Sequence, residues 1–169
     1  MELKICGVKE VEEIVKKGKI KEFTHCISIG DPKAKYPEEL KDFKENLLRL
    51  EFVDMDESSS WQEGLPDWRE LPEVAPNPEI ARKILTFAEK FLNDDTSNIL
   101  IHCQMGVSRS TATGLIILYR KLGNEKQALT HLLEICTDPL PNTYLIGYAD
   151  QLMNSNLSAI IPRFGVERL

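Results

Sequence analysis

Short apolar runs alternate along the chain with stretches whose apolar positions recur every three or four residues, and this alternation predicts strands and helices in turn. Leu3–Val8 is short and apolar and reads as a strand. Val11 to Lys17 then has helical spacing and stops at Gly18, a residue type common just past a helix C-terminus. Phe23–Ile29 reads as a buried strand, ended by the turn-forming Gly30-Asp31-Pro32. Pro37 starts a predicted helix through Leu40, Phe43 and Leu47, after which Leu48–Val53 alternates apolar and charged residues as a half-exposed strand does.

From Asp54 to Pro76 neither period is sustained, and the segment predicts a long loop or lid over residues 54–77, with two tryptophans to pack onto something. Asn77-Pro78 is a strong helix start, with Ile80, Ile84, Phe87, Ala88 and Phe91 along one face. After a turn over Asn93–Ser97, Asn98–His102 is short and continuously apolar, as a strand buried on both faces should be. Residues 110–122 predict a helix closed by Gly123, Asn124 with Gln127 starts another, and a last helix begins near Pro141 and carries Tyr144, Leu145, Tyr148 and Leu152. Strands alternating with helices imply an α/β fold with a central, mostly parallel sheet flanked by helices on both faces. Its length suits a single domain, 1–169, with residues 154–169 as a C-terminal tail.

Composition narrows the function classes. Hydrophobic residues at 42% and charged residues at 28% fit an ordinary globular domain rather than a disordered or fibrous one. The N-terminal apolar run is short and broken by Lys4, Lys9 and Glu10, which argues against a secretory signal or a membrane span. A net charge of -6 with no basic stripe argues against nucleic acid as a partner. Cys6, Cys26, Cys103 and Cys136 lie far apart without a C-x-x-C pair, a pattern that fits a reducing cytoplasm. Three of them sit among apolar neighbours and read as core residues. Cys103 has a different context.

It opens the segment Cys103-Gln104-Met105-Gly106-Val107-Ser108-Arg109-Ser110, between a buried strand and a helix. A junction of this kind gathers loop N–H groups and the unpaired donors of a first helical turn into one space, which makes an anion site. Those donors and the Arg109 guanidinium favour thiolate over thiol at Cys103, and so a nucleophile. With five residues between cysteine and arginine, a tight loop can set the sulfur under its centre. Arg109, planar and permanently charged, can then grip two phosphate oxygens. Gly106 permits backbone angles or a close approach closed to other residues.

The segment resembles the signature loop H-C-x-x-G-x-x-R-S/T of the protein tyrosine phosphatase superfamily, and the short chain and Ser108-Arg109-Ser110 ending resemble its dual-specificity branch. Leu48–Asp54 looks like the strand that delivers that family's general-acid aspartate, and Pro141-Asn142 is similar to the P-N pair of many small members. The resemblance implies a cofactor-free and metal-free hydrolase of phosphorylated protein or peptide substrates. Cys103 would be the nucleophile, residues 104–109 would bind phosphate, Asp54 would be the acid and then the base, and Ser110 would steady the departing thiolate.

Asp67, between Pro66 and Trp68, is the runner-up for the acid, 36 residues before Cys103 against 49 for Asp54; Asp56 is also available. His102 reads either as orienting the loop by hydrogen bonds or as a buried polar group needing partners, and is not counted as catalytic. His25 and His131 read as structural. Asn142 is a helix N-cap or a water-positioning group. Loop and chain depart from the family's longer members in lacking a W-P-D triplet, and no lysine lies between Cys103 and Arg109. Alternatives are a phosphatase of inositol phosphates or RNA 5′-triphosphates, a phosphate-binding module without turnover, and rhodanese-like sulfur transfer.

Overall fold

The computed structural model describes residues 1–55 and 74–161. The four apolar runs pair there into one parallel sheet of β1 (Glu2–Gly7), β2 (His25–Gly30), β3 (Leu47–Glu51) and β4 (Asn98–Cys103), in the order β1-β4-β2-β3. β2 and β4 are the inner strands, and this is why their sequences are apolar without alternation. All six residues of β2 are buried, and so are all but the first of β4. The edge strand β3 alternates, with Leu50 buried and Glu51 exposed.

Helices cover both faces, as expected for an α/β fold. On one face α1 (Val8–Lys16) and a 3-10 segment bury Val11 and Leu40 against Cys6, Cys26 and Leu100. On the other, α2 (Pro78–Ala88), α3 (Arg109–Leu122), α4 (Glu125–Ile135) and α5 (Thr143–Met153) enclose the larger core around Ile27, Ile29, Ile99, Ile101 and Leu115. The helix starts follow the sequence: Asn77, Asn124 and Asn142 each accept a first-turn N–H, from Ile80, Gln127 and Leu145. Gly123 closes α3 in the left-handed region at φ 65°.

One element differs in kind. The helix expected from Pro37 is a 3-10 segment over Glu38–Asn46, interrupted at Lys44, whose φ of 52° and ψ of -121° are not helical. Its apolar spacing buries Leu40 alone, too little to hold a regular helix against the sheet. Most of the long loop expected after Asp54, residues 56–73, lies outside the described residues; its ends meet where Val53 N–H donates to Val74 O at 2.7 Å. After α5, Asp150 accepts from Ser155 Oγ and the Leu157 and Ser158 N–H groups, and Leu157 and Ile161 pack into the core. No described helix is long and apolar enough to cross a membrane.

Ile101, on inner strand β4 and wholly buried, is two residues from Cys103. Ile101→Ala should cost about 2–5 kcal/mol through lost burial and an unfilled cavity. Urea unfolding of the purified variant would measure it, and a loss under about 1 kcal/mol would show that the sheet's centre is not the tightly packed core described.

Candidate active site

All four strands point their C-terminal ends at one edge of the sheet, where ligands gather in open parallel sheets. β4 ends in Cys103, β1 in Gly7, β2 leads to Asp31, and β3 leads to Phe52 and Asp54. The loop from Cys103 to Ser108 then turns into α3, whose first-turn N–H groups have no helical partners.

Close backbone packing sets the loop's shape. Gly106 has φ 80°, and a Cβ there would stand 2.5 Å from the Cys6 carbonyl carbon and the Gly7 nitrogen. A Cβ on Gly7 would in turn meet Gln104 O and the Met105 carbonyl at 3.0 Å. Glycine at both positions lets loop and strand end touch through backbone alone. Val8 N–H donates to Gln104 O at 3.2 Å. From the opposite side Leu140 N–H donates to Val107 O, and Asn142 N–H to Ser108 O. Thr111 Oγ1 donates back to Val107 O and Ser108 O, tying the loop to its helix.

Within that frame the Cys103 sulfur is buried, accepts the Gly106 N–H at 3.2 Å and lies 3.2 Å from Ser110 Oγ. Gln104 and Met105 are exposed at the loop's tip, while Gly106, Val107 and Ser108 are half-buried. Arg109 is 3% exposed, and its Nη1 donates to Asp31 Oδ1 and to Phe52 O, each at 2.7 Å. Its Nε has no hydrogen-bond partner; the nearest ionic group to it is Asp54, with Oδ2 at 3.6 Å. Asp54 Oδ1 accepts from Ser108 Oγ at 2.6 Å and Asn142 Nδ2 at 3.0 Å.

Every residue expected in the site is therefore in one place, except that Asp56 and Asp67 lie outside the described residues. One contributor goes beyond the expected residues. Asp31, expected only as part of a turn, holds the arginine; an acid directly after an inner strand of a parallel sheet is the available signal. Asn142 does cap α5, and its amide also bridges Asp54 and Met55 O. The remaining cysteines are free thiols packed in or against the core. Burial pushes the Cys6 thiol up to about 12 and the half-buried Cys136 up to about 11, and raises Cys26 as well. Among the described residues no cluster of His, Cys, Asp or Glu is arranged to hold a metal ion.

No protein-family model and no curated protein sequence matches the chain. Solved structures do. The chain is similar to PTPMT1 at 15% identity, covering 90% of each chain with a TM-score of 0.58. It is similar to Tk-PTP in its active form at 15% identity, covering 95% of this chain and 94% of that one with a TM-score of 0.57. Human DUSP28 aligns at 14% identity over 89% and 90% of the two chains, with a TM-score of 0.53. PTPMT1 has also been solved in complex with PI(5)P, at a TM-score of 0.55. The chain thus has the fold of the tyrosine and dual-specificity phosphatases, as the loop resemblance implied.

His102 is buried, and neither ring nitrogen has a hydrogen-bond partner. Desolvation holds its pKa down at about 4, a backbone contact with Cys103 only partly offsetting it. The folded state therefore binds this proton less readily than the unfolded chain, whose histidine titrates near 6.5. Above about pH 6.5 the group contributes nothing; as pH falls from there to about 4, stability should drop by up to about 3 kcal/mol. Unfolding free energies at pH 7 and pH 4.5 should converge in His102→Gln relative to the parent protein. An unchanged difference would show that His102 is not the group responsible.

Proposed function

We propose that the chain is a phosphatase acting on phosphotyrosine-type esters of proteins or peptides through a cysteinyl-phosphate at Cys103. One observation carries the reading. A buried sulfur that already accepts a loop N–H shares its loop with a buried arginine whose Nε is an orphan donor. An unpaired buried cationic donor is costly, and an oxyanion seated over the sulfur supplies the missing acceptor.

In the proposed cycle the Cys103 thiolate attacks phosphorus while loop N–H groups and Arg109 bear the charge on the equatorial oxygens. The bond from phosphorus to the leaving oxygen breaks as the S–P bond forms, and Asp54 gives that oxygen its proton. Water then attacks phosphorus and yields a proton to Asp54; the S–P bond breaks, the thiolate returns beside the Ser110 hydroxyl, and phosphate leaves. Asp54 suits both steps. Two neutral donors, Ser108 Oγ and Asn142 Nδ2, hold its Oδ1 and fix the carboxylate beside the loop. The cycle needs no metal.

Cys103→Ser and Arg109→Ala should each abolish turnover of a phosphotyrosine peptide while the far-UV spectrum stays unchanged, and EDTA should have no effect. In the same assay the peptide should be preferred over PI(5)P, because the loop carries one cation and two carboxylates flank it. Substantial activity in Cys103→Ser would sink the mechanism. A tenfold preference for PI(5)P would replace the protein substrate with a lipid one.

Replacing the true acid should slow esters with poor leaving groups far more than those with good ones, which depart without a proton. Asp54→Asn should steepen the leaving-group dependence across substituted phenyl phosphates, by about a hundredfold in rate at the poor end. If Asp67→Asn shows that steepening and Asp54→Asn does not, Asp67 is the acid.

A further inference from the structure

Asp31 occupies the first position of a tight turn, closed by Ala34 N–H donating to Asp31 O at 2.9 Å. Pro32 follows, and Lys33 has φ 65°, so the sequence fits the type II pattern with lysine where glycine or asparagine is usual. A lysine in that region is held there by its surroundings. Side chains of β3 do the holding. Glu51 Oε2 accepts the Lys33 N–H at 3.3 Å; Arg49 donates to Ala34 O and to Ser28 Oγ, each at 3.0 Å. The Arg49 guanidinium also stacks on Tyr36, 4.7 Å from the ring centroid. A half-buried arginine thus fixes a surface turn whose first carboxylate reaches Arg109.

We propose that Asp31 is a positioning residue for phosphate binding. Through Nη1 it fixes the Arg109 guanidinium, jointly with Phe52 O, in the orientation that leaves Nε for an incoming oxyanion. It rests on the reading of the Cys103–Arg109 loop as a phosphate site. The two carboxylates at this guanidinium have separate tasks. Asp31 takes a direct bond from Nη1 and stays with the arginine, whereas Asp54, at 3.6 Å from Nε, makes no hydrogen bond to it and is free to serve the leaving group.

The test uses tungstate, a phosphate mimic, titrated by calorimetry into the full chain and into Asp31→Asn, Asp31→Ala and Arg109→Ala, with kcat/KM for an aryl phosphate alongside. Asp31 is an exposed residue, and a thermal melt checks that each variant is folded. Asp31→Ala should weaken tungstate binding about tenfold and lower kcat/KM by about tenfold or more, since an arginine free to swing is poorly placed. Its leaving-group dependence should stay that of the parent. Asp31→Asn keeps the accepting oxygen and should remain within about threefold of the parent in both measurements. Tungstate binding by Asp31→Ala as tight as the parent's, or tighter, would overturn the proposal, because the carboxylate would then only compete for the arginine. Equal loss in the Asn and Ala variants would overturn it too, as would a steepened leaving-group dependence. Tungstate bound by the parent and lost in Arg109→Ala, without any turnover, would sink the phosphatase reading and leave the Asp31 comparison readable.

Discussion

An arginine 3% exposed is a charge taken out of water, and the arrangement of the strand ends around it follows from how that charge is compensated. Desolvating an ion of this size costs several kcal/mol unless polar and charged partners compensate it. Arg109 meets the cost with contacts from the ends of two other strands: Asp31 after β2, and the Phe52 carbonyl and Asp54 after β3. Its Cζ also lies 5.9 Å from the Phe52 ring centroid. Since Arg109 opens the helix that follows β4, this one side chain joins three of the four strands at the edge where chemistry is expected.

The fourth strand enters through backbone packing instead. Gly106 and Gly7 let the loop rest on the end of β1 at distances that a side chain at either position would break. On the proposed reading, rigid support from both sides matters because a phosphate site works by fixed donors, already aimed before charge develops. The Cys103 sulfur gains from the same support: Gly106, which touches β1, is also the residue whose N–H the sulfur accepts. Packing and chemistry meet at one glycine.

Much of this was legible in the sequence because the elements are long, strongly patterned and capped. β2 and β4 announce themselves as unbroken apolar runs, and Asn77, Asn124 and Gly123 mark helix ends by residue type. The loop was legible because the signature it resembles has fixed residue types at fixed spacing. The segment after Pro37 was misread because proline followed by spaced apolar residues signals a helix, whereas the chain between β2 and β3 has one buried anchor and a kink at Lys44. Asp31 carried no spacing signal, and Asn142 was legible as a cap but not as a partner of Asp54. Their roles in the site depend on which strand ends are neighbours, and the order β1-β4-β2-β3 is not written in any local pattern.

The same neighbour relations decide what charge the site can receive. Asp31 and Asp54 flank the single cation of the loop, and the chain as a whole carries -6, so long-range attraction does little to gather a highly charged ligand. A second phosphate on the substrate would need a further cation, which the Cys103–Arg109 loop does not hold. Recognition on the proposed reading therefore rests on one phosphoryl group gripped at short range, with the rest of the substrate meeting the exposed Met105 at the loop's tip, 77% accessible and apolar. On that reading, an apolar thioether beside the loop is suited to contact with an aromatic ring. On the proposed reading, charge balance at Arg109 and apolar character at Met105 both favour an aryl phosphate.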